Sequence, residues 1–438
     1  MSVDANRQPG ADDRADRRRF QTVRGTNDTL PDDQPYWDWV RGAAQDVARR
    51  FGFRRIDTPV LEETALFLRT IGEGTDIVEK EMYTFRDRGE DLLTLRPEGT
   101  APVCRAYIQH GMRTLPQPVR AFYITPIFRY ERPQSGRLRQ HYQFGAEAIG
   151  DASPEIDAEV IHLLWSLLEE LGLRNLTLHL NSIGDADCRP QYLDALRGYY
   201  AGRLADVCDD CHTRYEKNPL RLLDCKQERC QPSIQGAPTP AEGLCSDCAD
   251  HFDTLRSVLD LWGIPYRISP TLVRGLDYYT RTVFEVHPQA EGSQTALGAG
   301  GRYDGLIAQL GGPPTPGVGF GSGIERIIMN LRSAGLTPPA GLAPQPDVYI
   351  VYLGQAAHTH ALRLSAALRG AGLSVSLSTG HRSLRAQLRA AGTADARYAL
   401  ILGDDEIGRG AATLRLLETG DQRDVPLDAE AVRRAVTD

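Results

Sequence analysis

Arg129 and Glu131 stand two residues apart in AFYITPIFRYERPQSGRLRQHYQFGAEAIG, residues 121–150, just after a β-branched and aromatic run. Side chains two apart on an extended strand point to the same face. That face would set a guanidinium, a planar fork suited to phosphate or carboxylate oxygens, beside a carboxylate. A surface ion pair on an edge strand has the same spacing, and spacing alone does not separate the two. The second extended run of this stretch, YQFGAEAIG, alternates Gln143 and Glu147 with small and apolar residues. Upstream, Arg96-Pro97-Glu98-Gly99-Thr100 joins the apolar run LLTL to a helix-like segment. There Glu98 and Thr100 suit either an ammonium seat or a helix cap. Downstream, VRGLDYYT gathers Arg274, Asp277, Tyr278 and Tyr279 in one turn, which taken in isolation reads as a turn with core tyrosines.

Six of the eight cysteines fall between 208 and 248: Cys208, Cys211, Cys225, Cys230, Cys245 and Cys248. Cys208-x-x-Cys211 and Cys245-x-x-Cys248 have the spacing of one tetrahedral zinc site, with Cys225, Cys230, His212 and His251 as further donors. Reduced free thiols are the competing reading and the one preferred, so no metal is assigned.

These residues must be positioned by more than one core, because 438 residues predict two or three domains. A helix is expected over 35–50, with Trp37, Val40, Ala44 and Val47 on one face, then a strand ending at Pro59. IGEGTDIVEKEMYTF, with Gly72 and Gly74, reads as a mobile loop. Further elements are a helix at 154–171, the strand NLTLHLNSIG, a polar insertion at about 185–253 and a Pro-rich linker at 336–346. Strand and helix then alternate over 347–438, a small α/β domain. There Arg382, Arg385 and Arg389 recur at helical spacing, a solvated face or an RNA phosphate contact. Residues 1–19 read as a disordered arm with no signal peptide, and no apolar run is long enough to span a membrane. A net charge of −8 does not exclude a nucleic-acid partner, since a local basic face acts within a Debye length. The glycines of GAGGRYDG and GVGFGSG do not give GxGxxG between strand and helix, which argues against a dinucleotide fold.

The stretch FRYERPQSGRLRQHYQFGAEAIG resembles motif 2 of class II aminoacyl-tRNA synthetases, in the form found in histidyl-tRNA synthetases. The 35–50 helix with its Pro59 strand resembles motif 1, GVGFGSGIERI resembles motif 3, and VRGLDYYT resembles a signature of the histidyl enzymes. The resemblance runs from about residue 20 to the C-terminus. It implies an α/β protein: an α+β catalytic domain at 20–335, with an antiparallel sheet flanked by helices, and an anticodon-binding domain at 347–438. It implies activation of L-histidine by ATP, carried on Mg²⁺, to histidyl-adenylate and pyrophosphate, then transfer to tRNA(His) by a cytoplasmic homodimer. Arg129 and Arg274 would hold the α-phosphate, Arg326 the far phosphates or the adenine, Glu131 the adenine amino group and Arg137 the terminal phosphate. The motif 3 glycines would let strands and the 324–331 helix approach ATP closely. Glu98, Gly99, Thr100 and Gln143 would surround the α-amino group. Glu147 and Tyr279 would take the two ring nitrogens, with Tyr278 in the same pocket. His141 stands where such enzymes often carry an adenine-stacking Phe. The alternative within this scaffold is the silent regulatory subunit of ATP phosphoribosyltransferase.

Overall fold

The computed structural model describes residues 20–72, 75–132, 136–289, 296–343, 345–380 and 382–437. The expected N-terminal arm and Gly74 lie outside these. The chain divides at Pro338/Pro339 into two units.

In the first unit the described strands are β1 (Arg54–Arg55), β2 (Leu61–Glu63), β3 (Tyr83–Arg86), β4 (Leu92–Leu95), β5 (Val119–Phe128), β6 (Gln140–Ile149), β7 (Leu176–Ser182), β8 (Tyr266–Ile268), β9 (Thr280–Pro288), β10 (Gly298–Arg302) and β11 (Gly317–Gly323). Eight form one sheet in the order β1-β5-β6-β11-β10-β9-β7-β8; β2, β4 and β3 form a small second one. Only the outer pairs β1·β5 and β7·β8 of the large sheet are parallel.

Alternation along the strands gives this sheet two unlike faces. One register row, Phe122–Ala146–Phe320–Gly300–Phe284, points toward the helices Gln34–Arg50, Pro154–Glu170, Ser246–Leu261 and Ile324–Ser333, whose apolar residues share its core. Pro154–Glu170 starts on a proline, whose missing N–H costs nothing in a first turn. It ends at the left-handed Gly172, with Leu173 N–H closing on Leu168 O at 3.0 Å. Its Leu163, Leu164, Leu167 and Leu168 are fully covered, each contributing roughly 1.5–3 kcal/mol of burial. The neighbouring row, Tyr123–Gly145–Gly321–Ala299–Glu285, faces the other way and floors the cavity described below.

The predicted strand ending at Pro59 is reduced to β1 and β2. Arg96 explains the gap: buried, it donates to Thr58 O at 2.8 Å and Pro59 O at 3.2 Å, taking carbonyls that a neighbouring strand would otherwise pair. The stretch expected to be a plain loop instead carries a helical turn at Ile77–Glu81 and strand β3. Ser246–Leu261 runs through the boundary expected at 253, burying Phe252, Leu255 and Leu259 in the first core.

The second unit is a five-stranded sheet among the described residues: β12 (Val348–Tyr352), β13 (Val375–Leu377), β14 (Tyr398–Leu402), β15 (Ala411–Leu416) and β16 (Gln422–Pro426), in the order β13-β12-β14-β15-β16. β16 and the closing helix Ala429–Thr437 were not foreseen. Arg382, Arg385 and Arg389 are exposed on or next to the helix Leu384–Thr393.

Candidate functional site

A cavity of about 320 Å³ opens on the polar face of the large sheet. Ten of the twelve site residues expected from sequence line it: Arg129, Glu131, Arg137, Arg274, Arg326, Glu98, Thr100, Gln143, Tyr278 and Tyr279. Gly99 and Glu147 stand behind its wall.

Each of three arginines comes from a different element and is fixed at one end. Arg129, just past β5, donates from Nε to Pro97 O at 2.7 Å. Arg326, in the first turn of Ile324–Ser333, donates from Nε to Gly136 O at 2.9 Å and from Nη1 to Ala296 O at 3.3 Å. Arg274 pairs through Nη1 with Glu285, while its Nε is buried without a hydrogen-bond partner. Burial alone would raise Glu285, but Arg274 and His287, whose Nε2 lies 2.7 Å away, hold its carboxyl well below the usual range. Glu131 lies 4.0 Å from Arg129 Nη1 and 3.4 Å from Arg137 Nη1, and its buried Oε2 makes no hydrogen bond. Both lie beyond the end of β5, where Glu131 N–H turns back onto Arg129 O at 2.7 Å, so the two side chains come together through a turn rather than through strand alternation.

At the deep end Glu98 has the capping role and also faces the cavity. It accepts from Thr100 N at 2.6 Å and Ala101 N at 2.8 Å, at the start of the helix Thr100–Gln109. Burial pushes its carboxyl up. Gly99 serves packing: a Cβ there would meet the Tyr123 ring at 2.4 Å, so its absence lets Tyr123 close over the turn.

Glu147 is fully buried and receives three hydroxyls: Thr100 Oγ1 at 2.8 Å, Tyr123 OH at 3.1 Å and Tyr303 OH at 2.7 Å. Burial lifts its carboxyl to about 8, although the Tyr303, Thr100 and Tyr123 hydroxyls favour the charged form. It lies one hydroxyl layer from the cavity, which corrects the expectation that it lines the pocket. Burial, with Arg129 and Arg326 nearby, holds the cavity-lining His141 at about 3, so the ring is neutral at pH 7.

Sequence reasoning missed Tyr123, Tyr303, Glu285 and His287. The signal was present for the last two, an acid and an imidazole two apart in TRTVFEVHP, the spacing that singled out Arg129 and Glu131. Asp277 turns away from the cavity, accepting from Asn218 Nδ2 at 2.5 Å. Nor do the motif 3 glycines merely admit a ligand. A Cβ on Gly321 would come within 2.1 Å of Gln143 Nε2, so its bareness lets Gln143 lie across β11.

The two Cys-x-x-Cys pairs do not meet, so the single four-cysteine zinc site weighed against free thiols is not formed by them. Cys208 and Cys211 gather with Cys225 and Cys230; Cys245 and Cys248 gather with Cys188 and Asp185. His212 is in neither group, and His251 lies against Asp157, its Nε2 3.6 Å from the carboxylate.

Residues 25–327 match the family described as histidyl-tRNA synthetase, and residues 347–432 match one described as an anticodon binding domain. A histidine–tRNA ligase of Dehalococcoides mccartyi is 52% identical over 409 residues, 93% of this chain and 97% of that protein. One from Desulforamulus reducens is 47% identical over 404 residues, 92% and 96% of the two chains. The crystal structure of apo Staphylococcus aureus histidyl-tRNA synthetase superposes with a TM-score of 0.80 at 34% identity, covering 95% of this chain and 99% of that one.

Proposed function

Because this chain belongs to the histidyl-tRNA synthetase family, we propose that its polar cavity holds ATP and L-histidine side by side, with the three arginines gathered around the phosphates. The chain is an ATP-dependent ligase that joins histidine to tRNA. The regulatory-subunit alternative is not favoured, since curated relatives at 46–52% identity are ligases.

The observation that carries the reading of the site is the convergence of Arg129, Arg274 and Arg326 from three distant segments, with Arg274 Nε a buried donor lacking a partner. Such a donor costs about 1–3 kcal/mol unless an anion satisfies it. In the first step the histidine carboxylate attacks the α-phosphorus and pyrophosphate leaves, so the protein needs no nucleophile. Its contribution is alignment and charge neutralisation. Arg129 and Arg274 bracket the α-phosphate, Arg137 meets the terminal phosphate, and Arg326 meets the far phosphates or the adenine. Mg²⁺ enters with the substrate, on phosphate oxygens. Glu131 Oε2, which faces Arg137 but makes no hydrogen bond, accepts from the adenine amino group, and neutral His141 offers a flat face to the base.

Glu98, Thr100 and Gln143 surround the α-amino group. When Thr100 and Tyr123 donate to Glu147, their oxygen lone pairs are left for a ligand N–H. Glu147 thus reads the imidazole through the hydroxyls it holds, with Tyr279 at the other ring nitrogen. The second unit reads single-stranded anticodon bases of tRNA(His). No described helix is long and apolar enough to cross a membrane, and we take the chain to act as a cytoplasmic homodimer. Pyrophosphate exchange across a panel of amino acids, followed by charging of bulk tRNA, tests this. Exchange should require histidine, and exchange with another amino acid would overturn the pocket assignment.

A further inference from the structure

We infer that the insertion is folded around two structural zinc sites: Cys208, Cys211, Cys225 and Cys230 bind one ion, and Asp185, Cys188, Cys245 and Cys248 the other. In each group all four ligand atoms lie within 4.8 Å of one another. Cys208 Sγ is 3.7 Å from Cys225 Sγ, and Cys211 Sγ is 3.9 Å from Cys230 Sγ. Tetrahedral bonds of about 2.3 Å to zinc put sulfur atoms about 3.8 Å apart, whereas a disulfide needs about 2.05 Å. The sulfurs therefore stand at the separation of ligands that share an ion.

The second group gives the same answer from different numbers. Cys188 Sγ lies 3.8 Å from Cys248 Sγ and 3.5 Å from Asp185 Oδ1. A sulfur at about 2.3 Å and an oxygen at about 2.0 Å on one tetrahedral zinc are about 3.5 Å apart. Arg281 donates to the other oxygen, Asp185 Oδ2, at 3.1 Å and turns Oδ1 toward the thiols, as outer partners of metal-bound carboxylates do.

Local structure prepares both sites alike. Cys208 caps the N-terminus of Asp209–Lys217 with Cys211 in its first turn, and Cys245 and Cys248 stand identically on Ser246–Leu261. The positive end of a helix favours thiolate, the form that binds metal. Cys208 N–H also points at Cys230 Sγ, 3.2 Å away. Three thiolates or four select zinc over the hard cations that ride on nucleotides.

Placement gives the sites their work. Asp185 and Cys188 lie where the chain leaves β7, and Cys245 and Cys248 where it re-enters the core helix, so the second ion clasps the neck of the insertion. The first ion ties together the short helices of its tip, beside the insertion's own buried Leu196, Tyr200, Leu222 and Ile234. That tip leans on the turn at 76–81 and on the turn at 272–279: Lys217 pairs with Glu79, Arg221 with Asp76 at 3.3 Å, and Asn218 with Asp277.

The test is elemental analysis of the full-length protein, purified under reducing conditions without chelator. About two zinc ions per chain are expected, falling to about one in Cys225→Ser and about one in Cys188→Ser. Should either variant fail to fold, the intact protein still decides. An organomercurial titration should release zinc in step with thiol loss, and zinc K-edge absorption should show a sulfur shell near 2.3 Å. One zinc retained by Cys188→Ser and by the intact protein alike would remove the second site and keep the first. Less than a tenth of an equivalent, before and after zinc reconstitution, or iron in its place, would overturn the inference. None of these outcomes bears on histidine activation, so the ligase reading stands or falls separately.

Discussion

The two faces of the large sheet are made by the same five strands and have opposite chemistry. Phe122, Ala146, Phe320 and Phe284 occupy one register row, and Tyr123, Gly145, Gly321, Ala299 and Glu285 the next. On the first face every side chain is chosen for volume, and the helices opposite leave it dry. The second face has small residues in the centre, so long polar side chains from neighbouring strands can lie across them. Stability and recognition are thereby separated by a shift of one residue along a strand, and substitutions on adjacent residues should have unlike consequences.

Breaking the apolar face should give the largest effect. Phe320→Ala removes a buried ring packed 5.5 Å from Phe144 and should cost about 3–5 kcal/mol, read as a lower urea midpoint, with KM for histidine unchanged. Arg129→Ala, on the other face, should lower kcat/KM for pyrophosphate exchange by about 10²–10³ while leaving the midpoint nearly in place. If both variants lost stability alike, the division between faces would be wrong. Gly321→Ala sharpens the comparison, since the added methyl collides with Gln143 rather than with the core. A rise in KM for histidine of about tenfold is expected, the size of one lost hydrogen bond, with KM for ATP little changed.

The sequence made one face far more legible than the other. Helical spacing at Trp37, Val40, Ala44 and Val47 reports directly on burial, and all four are buried. The resemblance of three distant segments to synthetase motifs likewise implies one shared site for Arg129, Arg274 and Arg326, and all three line one cavity. Arg302 escaped because its environment is assembled from afar. It is buried without exposure, pairs with Asp157 and Asp304, and pins the β10 end to the helix Pro154–Glu170, yet nothing within GAGGRYDG distinguishes it from a surface arginine. The cysteines misled for a related reason. Two knuckle pairs look like one site in one dimension, but the helices they cap start at separate places, and Cys188 and Asp185 carry no local signature.

Glu147 offers the subtlest way to separate the faces, because its burial should mark stability and recognition with opposite pH slopes. Its carboxyl titrates at about 8 in the folded chain and near the ordinary ~4.3 when unfolded. Between those values the folded state holds a proton that the unfolded state lacks, so this group's stability contribution is complete below about 4.3 and is lost as pH rises toward about 8. Recognition runs the other way, since an ionised Glu147 orients the Thr100 and Tyr123 hydroxyls, so kcat/KM for histidine should rise through about pH 8. Glu147→Gln removes the titration and should flatten both slopes, measured as urea midpoints and exchange rates from about pH 5 to 9. Parallel profiles in the two proteins would show that the charge on Glu147 controls neither.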